Sequence, residues 1–391
     1  VGGKKKKEMK RIYLDHAATT PMSPEALEAM LPHLTSVPAN PSSLHMEGRA
    51  ARAALDGART AVSRCLNAKP REIVFTSGGT EANNLAIFGI ARARRADGTH
   101  LITSAIEHRA TLRAFTALRD EGFTITELPV DGEGRVDPQD FARAITPRTT
   151  FASIMFANNE IGTLQPVAEL AAIAREHRVV FHADAVQAAG KITLDVTTLG
   201  VDLLSLSAHK FEGPKGTGIL YVRQGTPIVP LLVGGSQESG LRAGTENLPG
   251  IVGCATALES ATTQAPQTSE RLAFLRDRFE TGVRAFLPDA RINGAGADRL
   301  PNISSVGFPE VDARDLLVRL DLEGIAASAG SACAAGVPEA SHVLAALGTP
   351  ARTRGGVVRF SLGRMTTEDE IASVLNRLPG IVQALRAEAF P

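Results

Sequence analysis

Reactive amines are scarce in this sequence. It holds nine lysines against 33 arginines, and Lys4 to Lys7 with Lys10 crowd the first ten residues. Any chemistry that needs a lysine in the folded body therefore has Lys69, Lys191, Lys210 and Lys215 to draw on. Lys210 closes the run Leu203-Leu-Ser-Leu-Ser207-Ala-His209-Lys210, an apolar strand that turns polar at its end. Lys191 follows a glycine in a connection, and Lys215 sits in a Gly-Pro turn. An amine brought to the ligand edge of a buried strand loses hydration, which disfavours the ammonium and leaves a nucleophile toward carbonyls. A second strand, Val179-Val-Phe-His182-Ala-Asp184-Ala-Val-Gln187, delivers a carboxylate in the same way. Asp184 there either caps the following helix or faces a positive group on a ligand. A third signal is Thr76-Ser77-Gly78-Gly79-Thr80-Glu81, a glycine turn between a strand and a helix. The unpaired N–H groups of a helix start attract a phosphate or carboxylate, or Thr80 simply serves as the N-cap. Neither the P-loop order nor the dinucleotide fingerprint is present around the glycines 213–218.

These residues need a frame. From about residue 70, short β-branched or apolar runs alternate with helical stretches. Strands are expected at Ile73-Phe75, Leu101-Ser104, Phe151-Phe156, Val179-His182, Leu203-Leu206 and Gly218-Val222, and helices at Glu81-Arg95, Thr111-Asp120 and Val167-Arg175. That alternation predicts an α/β fold with a mostly parallel sheet covered on both faces. The stretch Ala261–Glu270 turns polar and reads as a linker, followed by a smaller α+β unit: a helix over 271–287, strands near Asn302-Gly307 and Val357-Leu362, and a last helix from Thr367 to Ala387. Residues 1–8 read as an expression scar ahead of a start at Met9, with a basic nucleic-acid arm as the alternative. The expected division is an N-terminal arm (9–20) joining the small domain, a large domain (21–262) and a small C-terminal domain (263–391). Hydrophobic residues make up 43% and charged residues 21% of the 391, and the net charge is zero. Nothing in that balance draws the chain to nucleic acid or to a membrane. Cys65, Cys254 and Cys333 form neither a disulfide framework nor a metal motif, so the default is a reducing cytoplasm and no metal.

Pyridoxal 5'-phosphate requires a phosphate cup, a carboxylate at its pyridine nitrogen and a lysine for a Schiff base. The turn at Gly79-Thr80, Asp184 and Lys210 supply these at three strand ends. The sequence resembles the cysteine desulfurases of the NifS/IscS branch, within the class V group of fold-type-I pyridoxal-phosphate enzymes. The likeness runs from Tyr13-Leu-Asp-His-Ala-Ala-Thr-Thr-Pro21 to Arg359-Phe-Ser-Leu-Gly-Arg364. Between them lie Asn40-Pro-Ser-Ser-Leu-His45, Thr76–Glu81, Glu107-His108, Asn158-Asn-Glu-Ile-Gly162, Ser207-Ala-His-Lys210, Leu241-Arg-Ala-Gly-Thr-Glu-Asn247 and Gly330-Ser-Ala-Cys333.

The resemblance implies roles residue by residue. Lys210 holds the cofactor and abstracts the substrate's α-proton. Asp184 pairs with the pyridine nitrogen, Gln187 bonds the phenolic oxygen, and His108 stacks on the ring and exchanges protons. Gly79, Thr80, Ser207 and His209 hold the phosphate, joined by Thr245 from a neighbouring subunit, which implies a homodimer. Asn159 and Arg359 orient the substrate, L-cysteine, and Asn159 also borders the cofactor. Cys333 accepts the sulfur; it lies among small residues and two glycines, Ala327 to Pro338, with nothing to anchor it in a core. Cys65 and Cys254, in helical or apolar surroundings, are expected to pack as hydrophobes. Gly79, where many relatives have alanine, is expected to tolerate that change. His16, His45 and His182 are expected to be structural or to support the site residues from behind, His33, His100 and His177 exposed, and His342 to cap or pack the helix after the Cys333 segment.

The implied activity converts L-cysteine to L-alanine and leaves a persulfide on Cys333, feeding an iron–sulfur scaffold or a tRNA-thiolation protein. The alternatives are a selenocysteine lyase, another class V aminotransferase, or a scaffold that has kept the fold without activity.

Overall fold

The computed structural model describes residues 11–36, 38–329, 341–350 and 354–389. Its strands, in chain order, are β1 (Ile12–Tyr13), β2 (Ile73–Thr76), β3 (His100–Ser104), β4 (Thr124–Leu128), β5 (Thr149–Ser153), β6 (Val180–Asp184), β7 (Leu203–Ser207), β8 (Gly218–Val222), β9 (Arg291–Asn293), β10 (Ile303–Gly307), β11 (Ile325–Ala326) and β12 (Val357–Ser361). Seven of them form one sheet in the order β2-β8-β7-β6-β5-β3-β4. Neighbours from β7 through β4 are parallel, while β8 runs antiparallel between β7 and β2. This is the mostly parallel α/β sheet expected from the sequence.

A sheet covered on both faces must be apolar on both, and β2, β3, β5, β6, β7 and β8 are buried at every residue. One face packs on helices Met46–Cys65, Val167–Glu176 and the start of Leu248–Phe286 through Leu55, Val62, Leu170, Phe181, Cys254 and Leu258. The other packs on helices Gly79–Ala93 and Arg109–Asp120 through Ile87, Ile90, Phe115 and Leu118. Inside the sheet, two serines flank a buried histidine. Ser153 Oγ and Ser205 Oγ lie 2.8 Å from the two ring nitrogens of His182, whose pKa burial pushes down to about 3, so the ring is neutral.

A further apolar cluster gathers Ile12 and Leu14 with Phe279, Phe308, Leu316, Phe360, Ile371 and Val374 around the small antiparallel sheet β12-β10-β9. β1 pairs in parallel with β11, so the N-terminal arm adds to this C-terminal region. Between the two regions the linker expected over Ala261–Glu270 is absent. Those residues continue a single helix, Leu248–Phe286, through Pro266. The reason is local: Ala265 alone in that stretch is buried, so the apolar period lapses while the helix crosses from one core to the next. The helix expected from residue 271 is therefore the second half of a longer one.

Three smaller expectations also change. The N-cap of helix Gly79–Ala93 is Gly78, not Thr80. His100 is buried, with its ring nitrogens 2.6 Å from Thr149 Oγ1 and 2.8 Å from Thr126 Oγ1, and His33 is half-buried. The helix His342–Ala346 is capped by Ser341, leaving His342 Nε2 2.9 Å from the carbonyl oxygen of Glu107. Among the described residues, no helix is long and apolar enough to cross a membrane.

Candidate active site

The ends of β2, β6 and β7 open onto one cavity of about 700 Å³. Its lining includes Gly79, Thr80, His108, Asn159, Asp184, Gln187, Ser207, His209, Lys210 and Arg359. At the end of β2, Gly78 takes φ 151°, a conformation suited to glycine, and starts the helix at Gly79. β8 presses against this turn: a Cβ on Gly218 would lie 2.5 Å from the Gly78 carbonyl carbon. Glu81 braces it from inside the helix, its carboxylate accepting from Ser77 N at 2.8 Å and from Arg242 Nε at 2.9 Å. The first N–H groups of that helix have no intrahelical acceptor and suit an anion. A Cβ on Gly79 would lie 2.7 Å from Val186 Cγ2, so the expected tolerance of alanine requires Val186 to shift.

Asp184 ends β6, where a turn and not a helix follows, so it caps no helix. One oxygen accepts from Val186 N at 3.0 Å, and the other accepts from Asn83 Nδ2 at 2.6 Å. Gln187 Nε2 donates to Ala17 O at 2.9 Å while its Oε1 is buried without a partner among the described residues. β7 ends at Ser207 and a turn of 3₁₀ helix, Ala208–Lys210, presents the lysine. Lys210 Nζ donates to the carbonyls of Ala17 at 2.6 Å and Ala18 at 2.7 Å. Burial, reinforced by Arg359 and Lys191, lowers its pKa to about 7. The amine is thus available as a free base near neutrality. His209, 3.1 Å from Thr19 Oγ1, is lowered to about 4, chiefly by burial and then by Lys210, and stays neutral.

His108 caps helix Arg109–Asp120, its Nδ1 accepting from Ala110 N at 3.1 Å. That bond leaves the proton of the neutral ring on Nε2. Burial lowers its pKa despite the opposing pull of Asp184. Arg359 is buried and donates to Asn159 O at 2.7 Å and to Asp15 Oδ1 at 2.8 Å, while its Nε has no partner among the described residues. One prong of the guanidinium is therefore already engaged by the N-terminal arm.

Two expected residues stand apart. Thr245 is exposed and does not line the cavity, and Cys333 lies outside the described residues. Cys254 is fully buried in the core and Cys65 is partly buried. Residues that the sequence reading passed over complete the site. Asn83 stands two places beyond the Thr76–Glu81 motif yet holds Asp184, and Asp15 lies within the quoted arm motif yet holds Arg359. Their signal is polarity on otherwise apolar faces, which becomes visible only when burial is known: Asn83 is 1% exposed.

The donor set fits pyridoxal phosphate. A helix start and two polar side chains suit its phosphate, a braced carboxylate suits its ring nitrogen, and a desolvated amine suits its carbonyl. Residues 12–374 match the sequence profile of the family described as "Aminotransferase class-V". The chain belongs to the class-V aminotransferase family. Members of this family related to the chain are pyridoxal-phosphate enzymes. It is 49% identical over 379 residues to the cysteine desulfurase IscS of Dictyoglomus turgidum, covering 97% of this chain and 96% of that one. Among solved structures it resembles a NifS-like protein with a TM-score of 0.91 and 37% identity, over 96% of this chain and all (100%) of that one. It also resembles SspA in complex with cysteine, with a TM-score of 0.81 and 37% identity, over 92% of this chain and 100% of that one.

Proposed function

We infer that the chain is a pyridoxal-phosphate-dependent cysteine desulfurase that converts L-cysteine to L-alanine. The observation that carries this reading is the convergence of a desolvated lysine, a braced aspartate and an anion-binding helix start on one cavity, in a chain half identical to named cysteine desulfurases. Gly79, Thr80, Ser207 and His209 would hold the phosphate, with Thr245, exposed on each protomer, reaching the site of a second copy in a homodimer. Asp184 would hold a proton at the pyridine nitrogen, and the second N–H of Gln187 Nε2 would face the phenolic oxygen. When bound, pyridoxal phosphate supplies an electrophilic carbon for the substrate amine and an electron sink for the charge left at the α-carbon.

Lys210, free of its proton near neutrality, takes the α-proton of L-cysteine. Asn159 and Arg359 orient the substrate, with the carboxylate beside the guanidinium. His108 Nε2 moves a proton at the reacting atoms. The Cys333 thiolate forms an S–S bond to the substrate sulfur as the C–S bond breaks, leaving a persulfide on Cys333 and, once carbon is reprotonated, alanine. The persulfide passes to an acceptor protein, an iron–sulfur scaffold or a tRNA-thiolation protein, in the cytoplasm. The likeness to IscS proteins supports the first of these.

The test is Cys333→Ser with L-cysteine. The variant should load cofactor and show a substrate-dependent change in its visible spectrum, while alanine release falls strongly and no cysteine carries extra sulfur by mass spectrometry. Alanine formation at the wild-type rate would falsify the assignment of Cys333.

A further inference from the structure

Two lysines near the site are left unused by the proposed chemistry, Lys215 in the wall of the main cavity and Lys191 beside it, and Lys191 alone of the two is bonded to the Lys210 turn among the described residues. A second cavity, of about 60 Å³, shares Lys210 with the main one and has Lys191 in its wall. Lys191 Nζ donates to the carbonyl of Lys210 at 3.0 Å and, at 3.4 Å, to the carbonyl of Ala189. The other end of Lys191 is fixed too, because the Ser269 hydroxyl of the long helix donates to its carbonyl. On the opposite side of the same turn, Thr20 donates to the His209 carbonyl from both N and Oγ1, each at 3.0 Å. The Ala208–Lys210 turn is thus clamped from two directions, and one clamp carries a positive charge.

We infer that Lys191 is a positioning residue for Lys210: its ammonium fixes the backbone of the lysine turn, and its charge disfavours a second positive charge on the Lys210 amine. The inference rests on the reading of Lys210 as the reactive amine. Among the described residues Lys191 has no carboxylate in ion-pair contact; the nearest influence of that sign, Glu212, is paired with Arg364 at 2.9 Å. The charged and titratable groups about Lys191 are that pair, His16 of the N-terminal arm, and His209 and Lys210 of the clamped turn. From the long helix the cavity receives no charged side chain; its polar contributions there are Ser260, Gln264 and Thr268. Lys210 additionally faces Arg359, Asp15, Asp184 and His108. Burial lowers Lys191 to about 8, against the pull of Glu212, while Lys210 lies at about 7.

The test reads the protonation of Lys210 directly. Full-length protein freed of cofactor is trace-acetylated across a pH series, and the Lys210 peptide is quantified by mass spectrometry. Lys191→Met and Lys191→Gln should move the labelling midpoint up by roughly half a unit or more, because a neighbouring positive charge is gone. Lys191→Arg, which keeps charge and donor, should leave the midpoint at the wild-type value. Glutamine keeps a donor for the Lys210 carbonyl, so it decides the question alone if the methionine variant does not fold. A wild-type midpoint in the glutamine variant, or an arginine variant that behaves like glutamine, overturns the inference. Borohydride reduction of the wild-type holoenzyme with peptide mapping tests the underlying reading separately. Cofactor on Lys210 supports it, and cofactor on Lys191 overturns both.

Discussion

Glu107 shows how a single buried residue ties site chemistry to stability. Its Oε1 accepts from Ser104 Oγ at 2.6 Å and from Met155 N at 2.8 Å, while Oε2 is buried without a partner among the described residues. Burial, opposed by those two hydrogen bonds, raises its pKa to about 8. The folded chain therefore holds a proton that the unfolded chain has released between about pH 4.5 and 8. Stability contributed by this group is full below that window and is lost as pH rises through it. Glu107→Gln keeps the acceptor and removes the titration, so its stability relative to wild type should improve from pH 5 to about pH 8 and level off above it. Denaturant midpoints at each pH measure this, and a difference that stays flat would mean the carboxyl is ionised throughout. Asn83 braces Asp184 directly, donating a bond of 2.6 Å within the core. Asn83→Ala should cost about 1.5–3 kcal/mol of stability and weaken cofactor retention, because a buried carboxylate loses its donor. Unchanged retention in dialysis would mean that Val186 N alone suffices to brace Asp184.

At the scale of elements, the approach of β8 to the Gly78 turn controls the anion-binding helix start. Gly218→Ala would place Cβ 2.5 Å from the Gly78 carbonyl carbon and 2.6 Å from its Cα, both backbone atoms that cannot rotate away. The strand or the turn must move, at a cost of about 1–3 kcal/mol. The variant should lose affinity for pyridoxal phosphate more than it loses melting temperature, and equal, small losses would show the turn to be soft. Strands buried at every residue were legible in the sequence, the edge strand β2 included: Gly218–Val222 was read with its observed ends, and Ile73–Phe75 and Leu203–Leu206 each lacked one residue. β4, Thr124–Leu128, escaped because it lies at the sheet edge with only Leu128 buried, leaving a polar segment without a clear period. The long helix was read as two for a related reason, since Ala261–Glu270 carries no stripe while it passes between cores. The site residues at strand ends were legible because polarity interrupts an apolar run there. Asn83, Asp15 and the carbonyls of Ala17 and Ala18 were not, because backbone groups carry no sequence signal and tertiary pairing gives side chains their meaning.

One continuous helix, and no linker, joins the sheet core to the C-terminal core. The helix Leu248–Phe286 gives Cys254 and Leu258 to the sheet core and Leu275, Phe279 and Val283 to the C-terminal core. Two residues from the C-terminal half, Leu300 and Ile303, are counted among the sheet core itself, both fully buried. Leu300 N donates to Gly162 O at 2.8 Å, Leu164 N to Asp298 O at 2.8 Å, and Arg276 Nη1 to Leu300 O at 2.8 Å. These bonds stitch 298–300 to the loop that carries Asn159, whose carbonyl holds Arg359. A cavity at Leu300 should therefore destabilise both halves together. Leu300→Ala is expected to cost about 2–5 kcal/mol, the range for a leucine removed from a packed interior. If the cores fold as one unit, amide protection in β6 and in β10 should fall by the same amount, since each would exchange through the shared global opening. Hydrogen exchange followed by mass spectrometry on peptides covering 180–184 and 303–307 makes the comparison. Protection lost in β10 but kept in β6 would show two units that open independently, with the long helix a hinge rather than a common strut.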